Sequence, residues 1–192
     1  MMNIKSSRNK GRRRAAFTLM ELLIVISLIA VLAGMVMAAM PAIMGKVKRD
    51  QARLAVKEMT AGLSSYKLDN GWFPINPSDP VEGAFILYQH LSGDFDVDGN
   101  LDDVTSETKI YVPGIDWNTA SQDSRQRVGE INGRYAVVDP FGSPFRYLCE
   151  PPGVRDSQRQ TRNPTYDIWS LGGANANSNS IKDQANWITN WD

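Results

Sequence analysis

Apolar residues form a continuous run near the start of the chain. The 24 residues from Phe17 to Met40 contain one charged side chain, Glu21, and two other polar side chains, Thr18 and Ser27. At about 1.5 Å per residue they make a helix of roughly 36 Å, which is enough to cross a hydrocarbon core of about 30 Å. The run therefore predicts a transmembrane helix over residues 17–40. A removable secretory signal is disfavoured, because its apolar core is shorter and is followed by a cleavage site of small residues.

After this run the apolar residues recur at the spacing of a helix with one buried face. The residues on this face are Ala52, Ala55, Val56, Met59, Leu63 and Tyr66. They predict an amphipathic continuation of the same helix over residues 41–67, which is closed by Asp69-Asn70-Gly71. We expect the apolar face to pack on a sheet.

Pro41 interrupts the hydrogen-bonding pattern of this helix. Its nitrogen carries no N–H, and glycines at positions 34 and 45 lie on either side of it. We expect either a kink or loosened stretch between Gly34 and Pro41, or a proline that only tilts the helix at the bilayer surface.

The remaining sequence predicts one short helix and several strands. The helix covers residues 83–91, within a segment from 75 to 132 that is otherwise mostly loop. Runs of aromatic and β-branched residues predict three strands. These runs are 134–138, 144–148 and 166–171. The first two are joined by residues 139–143, whose proline and glycine favour a turn. The predicted fold class is α+β, with a long N-terminal helix packed on a small antiparallel β-sheet.

Charge is distributed unevenly, although the formal net charge of the chain is zero. Residues 1–16 contain six basic side chains and no acidic one, whereas residues 17–192 contain 15 basic and 21 acidic side chains. A positively charged segment beside a membrane span is retained in the cytoplasm. We therefore expect a cytoplasmic N-terminus and a C-terminal domain across the membrane. A nucleic-acid-binding arm is disfavoured, because the basic run directly adjoins the apolar one.

The junction between these two runs resembles a known processing signal. A basic leader, Ala16, the sequence Phe17-Thr18-Leu19-Met20-Glu21 and an apolar run are similar to the class III signal of type IV pilins and type II secretion pseudopilins. The resemblance implies that a prepilin peptidase cleaves between Ala16 and Phe17 and methylates the new amine of Phe17. It also implies that Glu21 pairs with the N-terminal amine of a neighbouring subunit, so that two charges that are costly in lipid are buried together. The family usually has glycine before the cleavage site, and Ala16 keeps a small side chain there.

Later blocks of the chain resemble the major pseudopilin of type II secretion. They are residues 66–74, the Asp-Pro-aromatic-Gly-x-Pro turn at 139–144, the strand that ends in Ser170-Leu171-Gly172, and Asn190-Trp191. The implied fold is type IV pilin-like. The implied domains are a basic class III leader at 1–16, the transmembrane helix at 17–40, its amphipathic continuation at 41–67, and a periplasmic α+β head at 68–192 with an acidic loop at 94–103.

The acidic loop contains a pattern that is typical of calcium ligands. Its candidate ligands are Asp94, Asp96, Asp98, Asn100 and Asp102. Their spacing, with Gly99 at the sixth position, matches an EF-hand loop, but Thr105 stands where a bidentate glutamate belongs. The alternative is a solvated acidic loop without a metal.

A second calcium loop is implied by the resemblance, between the last strand and the C-terminus. Major pseudopilins build this loop on aspartates, whereas this chain has Asn175 at the first position and Asp183 as the nearby acid. Amide oxygens supply less charge than carboxylates. We expect either a weak site at Asn175 and Asp183, or transfer of the role to the loop at 94–103.

The sequence does not support catalytic chemistry. His90 is the only histidine, so catalytic triads that need histidine are unsupported and multi-histidine zinc sites within one chain are excluded. Cys149 is the only cysteine and cannot form an internal disulfide. We therefore do not expect an enzyme.

The apolar run predicts a single membrane pass, and the resemblance implies a structural subunit of the inner membrane. The resemblance implies assembly through the N-terminal helix into a helical homo-oligomer, a periplasmic pseudopilus that drives protein export. The implied partners are prepilin peptidase, minor pseudopilins, an inner-membrane platform and an assembly ATPase. The alternatives are a type IV pilin for attachment or DNA uptake, and a membrane-anchored calcium-binding module that does not polymerise.

Overall fold

The structure is a computed structural model. It describes residues 18–94, 96–99, 101, 109–121, 123, 125–175 and 181–191, without the side chains of residues 181 and 182. The predicted leader lies outside this range. The chain divides into two units, one up to residue 44 and one from residue 45 onward.

The first unit is the apolar part of helix α1 (Leu19–Asn70). Every described residue from 18 to 44 is exposed. The helix continues through Gly34 and Pro41, so the loosened stretch expected there is not found among these residues. The Ser27 hydroxyl donates a hydrogen bond to the Leu23 carbonyl at 2.7 Å. This polar group is therefore satisfied within the helix, as a membrane span requires.

Helix α1 ends at Asn70, three residues beyond the predicted end at residue 67. Gly71 follows with a φ of 86°, a left-handed conformation that favours glycine, and its N–H donates to the Lys67 carbonyl at 2.8 Å. The Asn70 side chain donates to the Tyr66 carbonyl and to the Tyr111 hydroxyl. These hydrogen bonds explain why α1 continues through Asp69 and Asn70, although such polar residues ordinarily mark the end of a helix.

The second unit contains the end of α1 and shorter helices and strands. The elements after α1 are α2 (Glu82–Leu91), β1 (Val128–Ile131), β2 (Arg134–Val137), β3 (Arg146–Cys149), a 3-10 helix (Asp156–Gln158), β4 (Tyr166–Ser170), α3 (Ile181–Gln184) and β5 (Ile188–Thr189). β1 pairs with β2, and β3, β4 and β5 form a second sheet in that order, with every pair antiparallel. In register, Val128 lies opposite Val137 and Arg146 opposite Trp169. The predicted α+β class and the helix at 83–91 are confirmed, whereas β1, β5 and α3 were not predicted.

The predicted strands 134–138 and 144–148 form, but they lie in two sheets rather than in the one predicted sheet. β2 pairs with β1, and β3 pairs with β4. The two runs meet only at an isolated bridge between Val138 and Pro144. The turn at 139–143 therefore connects two sheets rather than the two arms of one hairpin.

The hydrophobic core of the second unit contains the predicted face of α1. Its members from α1 are Ala52, Ala55, Val56, Met59 and Leu63, with the half-buried Tyr66 packed against them. Tyr147 of β3 and Ile168 of β4 are fully buried in the same core. Helix α2 approaches β3 closely, because Gly83 has no side chain and a Cβ there would lie 2.3 Å from the Tyr147 carbonyl oxygen.

Candidate functional site

The N-terminal end of α1 is closed by reciprocal hydrogen bonds between Thr18 and Glu21. The Thr18 N–H and hydroxyl donate to Glu21 Oε2 at 2.9 and 3.0 Å, and the Glu21 N–H donates to Thr18 Oγ1 at 3.2 Å. This arrangement is a capping box, in which a threonine caps the helix and a glutamate three residues later bonds back to it. Glu21 is exposed on the first turn. Its carboxylate is therefore accessible to a cation from another chain.

The predicted cleavage site, Ala16 and Phe17, lies outside the described residues, and so does the predicted methylated amine of Phe17. The first described residue, Thr18, directly follows this site. Cleavage, methylation and pairing with Glu21 therefore stay predictions.

The apolar part of α1 exposes large hydrophobic side chains along its length. Leu19 is 83% exposed and Met37 is 75% exposed. The helix is long and apolar enough to cross a membrane, and none of its most apolar stretch is buried within the chain. Exposed apolar surface of this extent is unfavourable in water. The segment is therefore suited to be covered by lipid or by other protein chains.

Asp94 organises the acidic loop as a buried hydrogen-bond acceptor. Its Oδ2 accepts from the Tyr88 hydroxyl at 2.6 Å and from the Gly99 N–H at 2.8 Å. Its Oδ1 accepts from the N–H groups of Val97 and Asp98 at 2.8 and 3.2 Å. Burial, together with the bond to Asp94, raises the pKa of Tyr88. The Asp94 carboxylate thus accepts four hydrogen bonds. The loop around it holds Val97 at a φ of 63°, which is a strained conformation for a β-branched residue.

Asp96 and Asp98 are exposed beside the buried Asp94. Carboxylate oxygens from these three residues lie within 4.8 Å of one another, a spacing that can hold a hard cation such as Ca²⁺. The other two predicted ligands, Asn100 and Asp102, lie outside the described residues. Because the Asp94 oxygens already accept four hydrogen bonds, Asp96 and Asp98 are the better ligands. The described part of the loop therefore supplies some of the oxygen ligands that a cation needs, chiefly from Asp96 and Asp98.

The second predicted calcium loop is described only at its two ends. Asn175 is exposed in the loop after β4, and Asp183 is half-buried in α3. Residues 176–180 between them lie outside the described residues. Joint ligation of a cation by Asn175 and Asp183 therefore stays a prediction.

Asp139, which is not among the site residues predicted from the sequence, connects the turn after β2 to the end of β4. It is buried, and its Oδ1 accepts from the N–H groups of Phe141 and Ser143 at 3.0 and 2.9 Å. Its Oδ2 accepts from the Ser170 hydroxyl at 2.6 Å, and Ser170 Oγ accepts from the Gly172 N–H at 3.0 Å. The Asp-Pro motif carried a signal for this network, because an aspartate that begins a turn commonly accepts bonds from the backbone after it.

The C-terminal pair Asn190-Trp191 closes the edge of β4. Asn190 Oδ1 accepts from the Ile168 N–H at 3.0 Å, and its amide donates to the Tyr166 carbonyl at 3.3 Å. The Trp191 ring packs edge-on against Trp169 with ring centroids 5.5 Å apart. These contacts give the C-terminal pair a structural role.

His90 and Cys149 have the surroundings of core residues. His90 Nδ1 lies 3.2 Å from the Tyr66 hydroxyl, and burial lowers the pKa of His90. Cys149 is buried, and burial raises the pKa of its thiol. A raised thiol pKa disfavours the reactive thiolate. Both residues are therefore explained by packing.

Two matches to known proteins bear on this site. Residues 11–37 match the prokaryotic N-terminal methylation motif. The chain is 26% identical to the type II secretion system core protein G of Pseudomonas aeruginosa, over 178 residues that cover 92% of this chain and 96% of that protein. No solved structure gives a match. The resemblance to N-terminally methylated pseudopilins is therefore confirmed, and the long helix packed on small antiparallel sheets is consistent with it.

Proposed function

We propose that this protein is a structural subunit of a type II secretion pseudopilus, anchored in the inner membrane by the apolar part of α1 with its head in the periplasm. The N-terminal methylation motif and the relative that aligns over almost its whole length support this proposal. The observation that carries it is the position of Glu21. The single charge of the apolar segment lies exposed on the first helical turn, four residues after the predicted new N-terminus at Phe17.

In the proposed mechanism, prepilin peptidase removes residues 1–16 and methylates Phe17. The amine of one subunit then pairs with Glu21 of its neighbour, which replaces two separate charges in lipid with one buried ion pair. The exposed apolar side chains of α1 pack between subunits. Minor pseudopilins, an inner-membrane platform and an assembly ATPase are the proposed partners. The role is structural rather than enzymatic.

The capping box stabilises the ionised Glu21 carboxylate before it pairs with the amine. An ionised carboxylate inside a membrane costs about 2.5–3.5 kcal/mol on insertion scales. The two donors of Thr18 offset part of this cost before assembly. Both bonds reach Oε2, so an incoming amine can bind Oε1 without displacing Thr18.

Replacement of Glu21 by glutamine tests the proposed function. Glu21→Gln keeps the size of the side chain but removes its charge. We expect normal membrane insertion and a fall of at least about a hundredfold in fibre yield, because losing one partner of a buried ion pair costs about 3–5 kcal/mol. The measurement is the yield of sheared fibres from cells that contain the secretion machinery.

Asp69→Asn is the matched control for this experiment. Asp69 is another acidic residue of α1. It forms an ion pair with Lys109, and both side chains of this pair are exposed. Exposed pairs contribute little, so this variant should assemble normally. Wild-type fibre yield from Glu21→Gln would contradict the proposal and favour a tethered module that does not polymerise. A type IV pilin would share the Glu21 phenotype, and a deletion strain that loses attachment or DNA uptake but keeps protein export would indicate it.

We also propose that the acidic loop binds calcium weakly. The carboxylates gathered within 4.8 Å support this, with Asp96 and Asp98 as ligands and Asp94 as the residue that shapes the loop. Calcium binding is compatible with a fibre subunit and with a tethered module. The Glu21 experiment therefore separates these two functions, and the calcium experiment does not.

A further inference from the structure

A groove of about 270 Å³ lies between the end of α1 and the loop that follows β3. One wall contains Lys67, Trp72 and Ile75, and the other contains Pro151 and Arg159. All of these residues belong to the second unit. Pockets that enclose a whole small molecule usually measure about 300–1,000 Å³. The groove is therefore of a size to hold one large side chain of a peptide.

The groove presents apolar side chains to the solvent. Trp72 is 58% exposed and Ile75 is 45% exposed. Beside them, the Phe73 ring packs edge-on against the core residue Tyr166, with ring centroids 4.7 Å apart, so this wall is held in place by the core. Exposed tryptophans on a fixed support are typical anchor sites for peptides and proteins. The walls therefore favour an apolar side chain of a partner.

Two cations line the same groove. Lys67 is exposed, its Nζ lies 4.7 Å from the centroid of the Phe73 ring, and no carboxylate forms an ion pair with it among the described residues. Arg159 pairs at 3.0 Å with Asp156, whose side chain is 91% exposed. Such an exposed pair is weak, so the Arg159 guanidinium can also bind a second carboxylate. Both cations therefore favour a carboxylate beside the apolar side chain.

Glu150, which also lines the groove, supplies a hydrogen-bond acceptor. Its Oε1 accepts from the N–H groups of Gln160 and Thr161, whereas its Oε2 is buried and has no hydrogen-bond partner among the described residues. A buried acceptor without a donor is costly. A peptide carries N–H donors as well as carboxylates, whereas an inorganic anion or a lipid phosphate chiefly accepts hydrogen bonds. The groove therefore matches a peptide better than a simple anion.

We propose that the groove binds an acidic peptide segment of another protein. One large apolar side chain of this segment lies against Trp72 and Ile75, and carboxylates beside it bind Lys67 and Arg159. A main-chain N–H of the segment donates to Glu150. Binding of this kind goes beyond the proposed function and does not require a fibre.

Matched synthetic peptides test this binding on the full chain in a non-ionic detergent. The first probe has one phenylalanine between pairs of aspartates, and the second has lysines in place of the aspartates. We expect saturable binding of the first probe, at least about tenfold tighter than that of the second, because like charges repel at a contact. A third probe, with alanine in place of phenylalanine, should bind at least about tenfold more weakly than the first. Fluorescence anisotropy of the labelled probes measures these affinities, and equal binding of the aspartate and lysine probes would overturn the inference.

Two variants place the binding in the groove. Trp72→Ala should weaken binding of the aspartate probe by at least about tenfold and change the melting temperature little, because Trp72 is more than half exposed. Lys67→Glu should reverse the preference, so that the lysine probe binds more tightly than the aspartate probe. Leu54→Ala and Lys57→Glu are the matched controls, since both residues are exposed on α1 and neither lines the groove. Wild-type binding of the aspartate probe by either groove variant would overturn the inference.

Cross-linking identifies what occupies the groove. A carbodiimide joins amines to carboxylates in contact, and we expect it to attach the aspartate probe to Lys67 but not to Lys57. Attachment of Lys67 to a carboxylate of a second copy, with the probe in excess, would overturn the inference by assigning the groove to that copy. Normal fibres without probe binding would contradict this inference alone. Probe binding by a chain that forms no fibres would contradict the proposed function alone.

Discussion

At the scale of single residues, two carboxylates show how local hydrogen bonds separate a structural acid from an accessible one. Glu21 is exposed and, among the described residues, bonds to Thr18. Asp94 is buried and accepts four hydrogen bonds. A carboxylate with unused lone pairs can bind a cation, whereas a saturated one fixes the chain around it. This difference supports an assembly role for Glu21 and a structural role for Asp94.

Substitutions in the acidic loop test the proposed calcium site. Asp98→Asn should leave the calcium-free melting temperature almost unchanged, because the side chain is exposed, and should abolish the rise in melting temperature at about 1 mM calcium. Asp94→Asn should destabilise the chain by about 1–3 kcal/mol even without calcium, because an amide cannot accept from all four donors. Calorimetry of the detergent-solubilised chain measures both effects. A wild-type melting temperature that calcium does not raise would contradict the site.

His90 predicts sensitivity of the head to acid. Burial lowers its pKa below the ordinary value of 6.5. The folded state therefore favours the neutral ring, and this contribution to stability is complete above the unfolded pKa and is lost as the pH falls through the lower folded pKa. Between about pH 7 and pH 5, we expect a steeper fall in melting temperature for the wild type than for His90→Gln. The same pH dependence in both proteins would show that His90 does not contribute.

At the scale of elements, the sequence predicts a long helix or strand better than a short one, because a long element repeats its pattern of apolar residues. The buried face of α1 follows from apolar spacing, because a long amphipathic helix repeats one pattern over several turns. β1 has four residues, including a glycine and a glutamate, and β5 has two, so neither shows the alternation that identifies a strand. Both are strands because they pair with β2 and β4. Such pairing is a tertiary contact that local pattern does not encode.

In the candidate sites, the sequence predicts the position of Glu21 but not the burial of Asp94. The sequence predicts the place of Glu21, because a lone acid in an apolar run is conspicuous, and the Thr18-x-x-Glu21 spacing also carried the signal for the capping box. The burial of Asp94 could not be predicted, because an acidic loop is typically solvated. Its burial depends on Tyr88 of α2, whose hydroxyl binds it.

The close contact between α2 and β3 can be tested by substitution of Gly83. Gly83→Ala should destabilise the chain by about 1–3 kcal/mol, because the new Cβ would lie 2.3 Å from the Tyr147 carbonyl oxygen and one backbone must move. Gly45→Ala is the matched control, since nothing lies within 4 Å of a Cβ at that helical position. It should be neutral or stabilise the chain by up to about 1 kcal/mol. Denaturant unfolding measures both variants, and equal stability of Gly83→Ala and wild type would contradict the close approach.

At the scale of the whole molecule, the two units require different surroundings. Residues 18–44 expose apolar side chains, whereas the second unit has its own hydrophobic core. The apolar segment is exposed in the isolated chain. It is covered by lipid and by other subunits in the proposed fibre, so assembly explains this exposed surface.

The mass of the mature N-terminus tests directly whether the chain is processed as a pilin-type subunit. The chain is isolated from membranes of cells that contain its prepilin peptidase, and its N-terminal peptide is measured by mass spectrometry. We expect a peptide that begins at Phe17 and carries one added methyl group on its amine. A peptide that retains Met1, or one that begins near Ala39, would contradict processing as a pilin-type subunit.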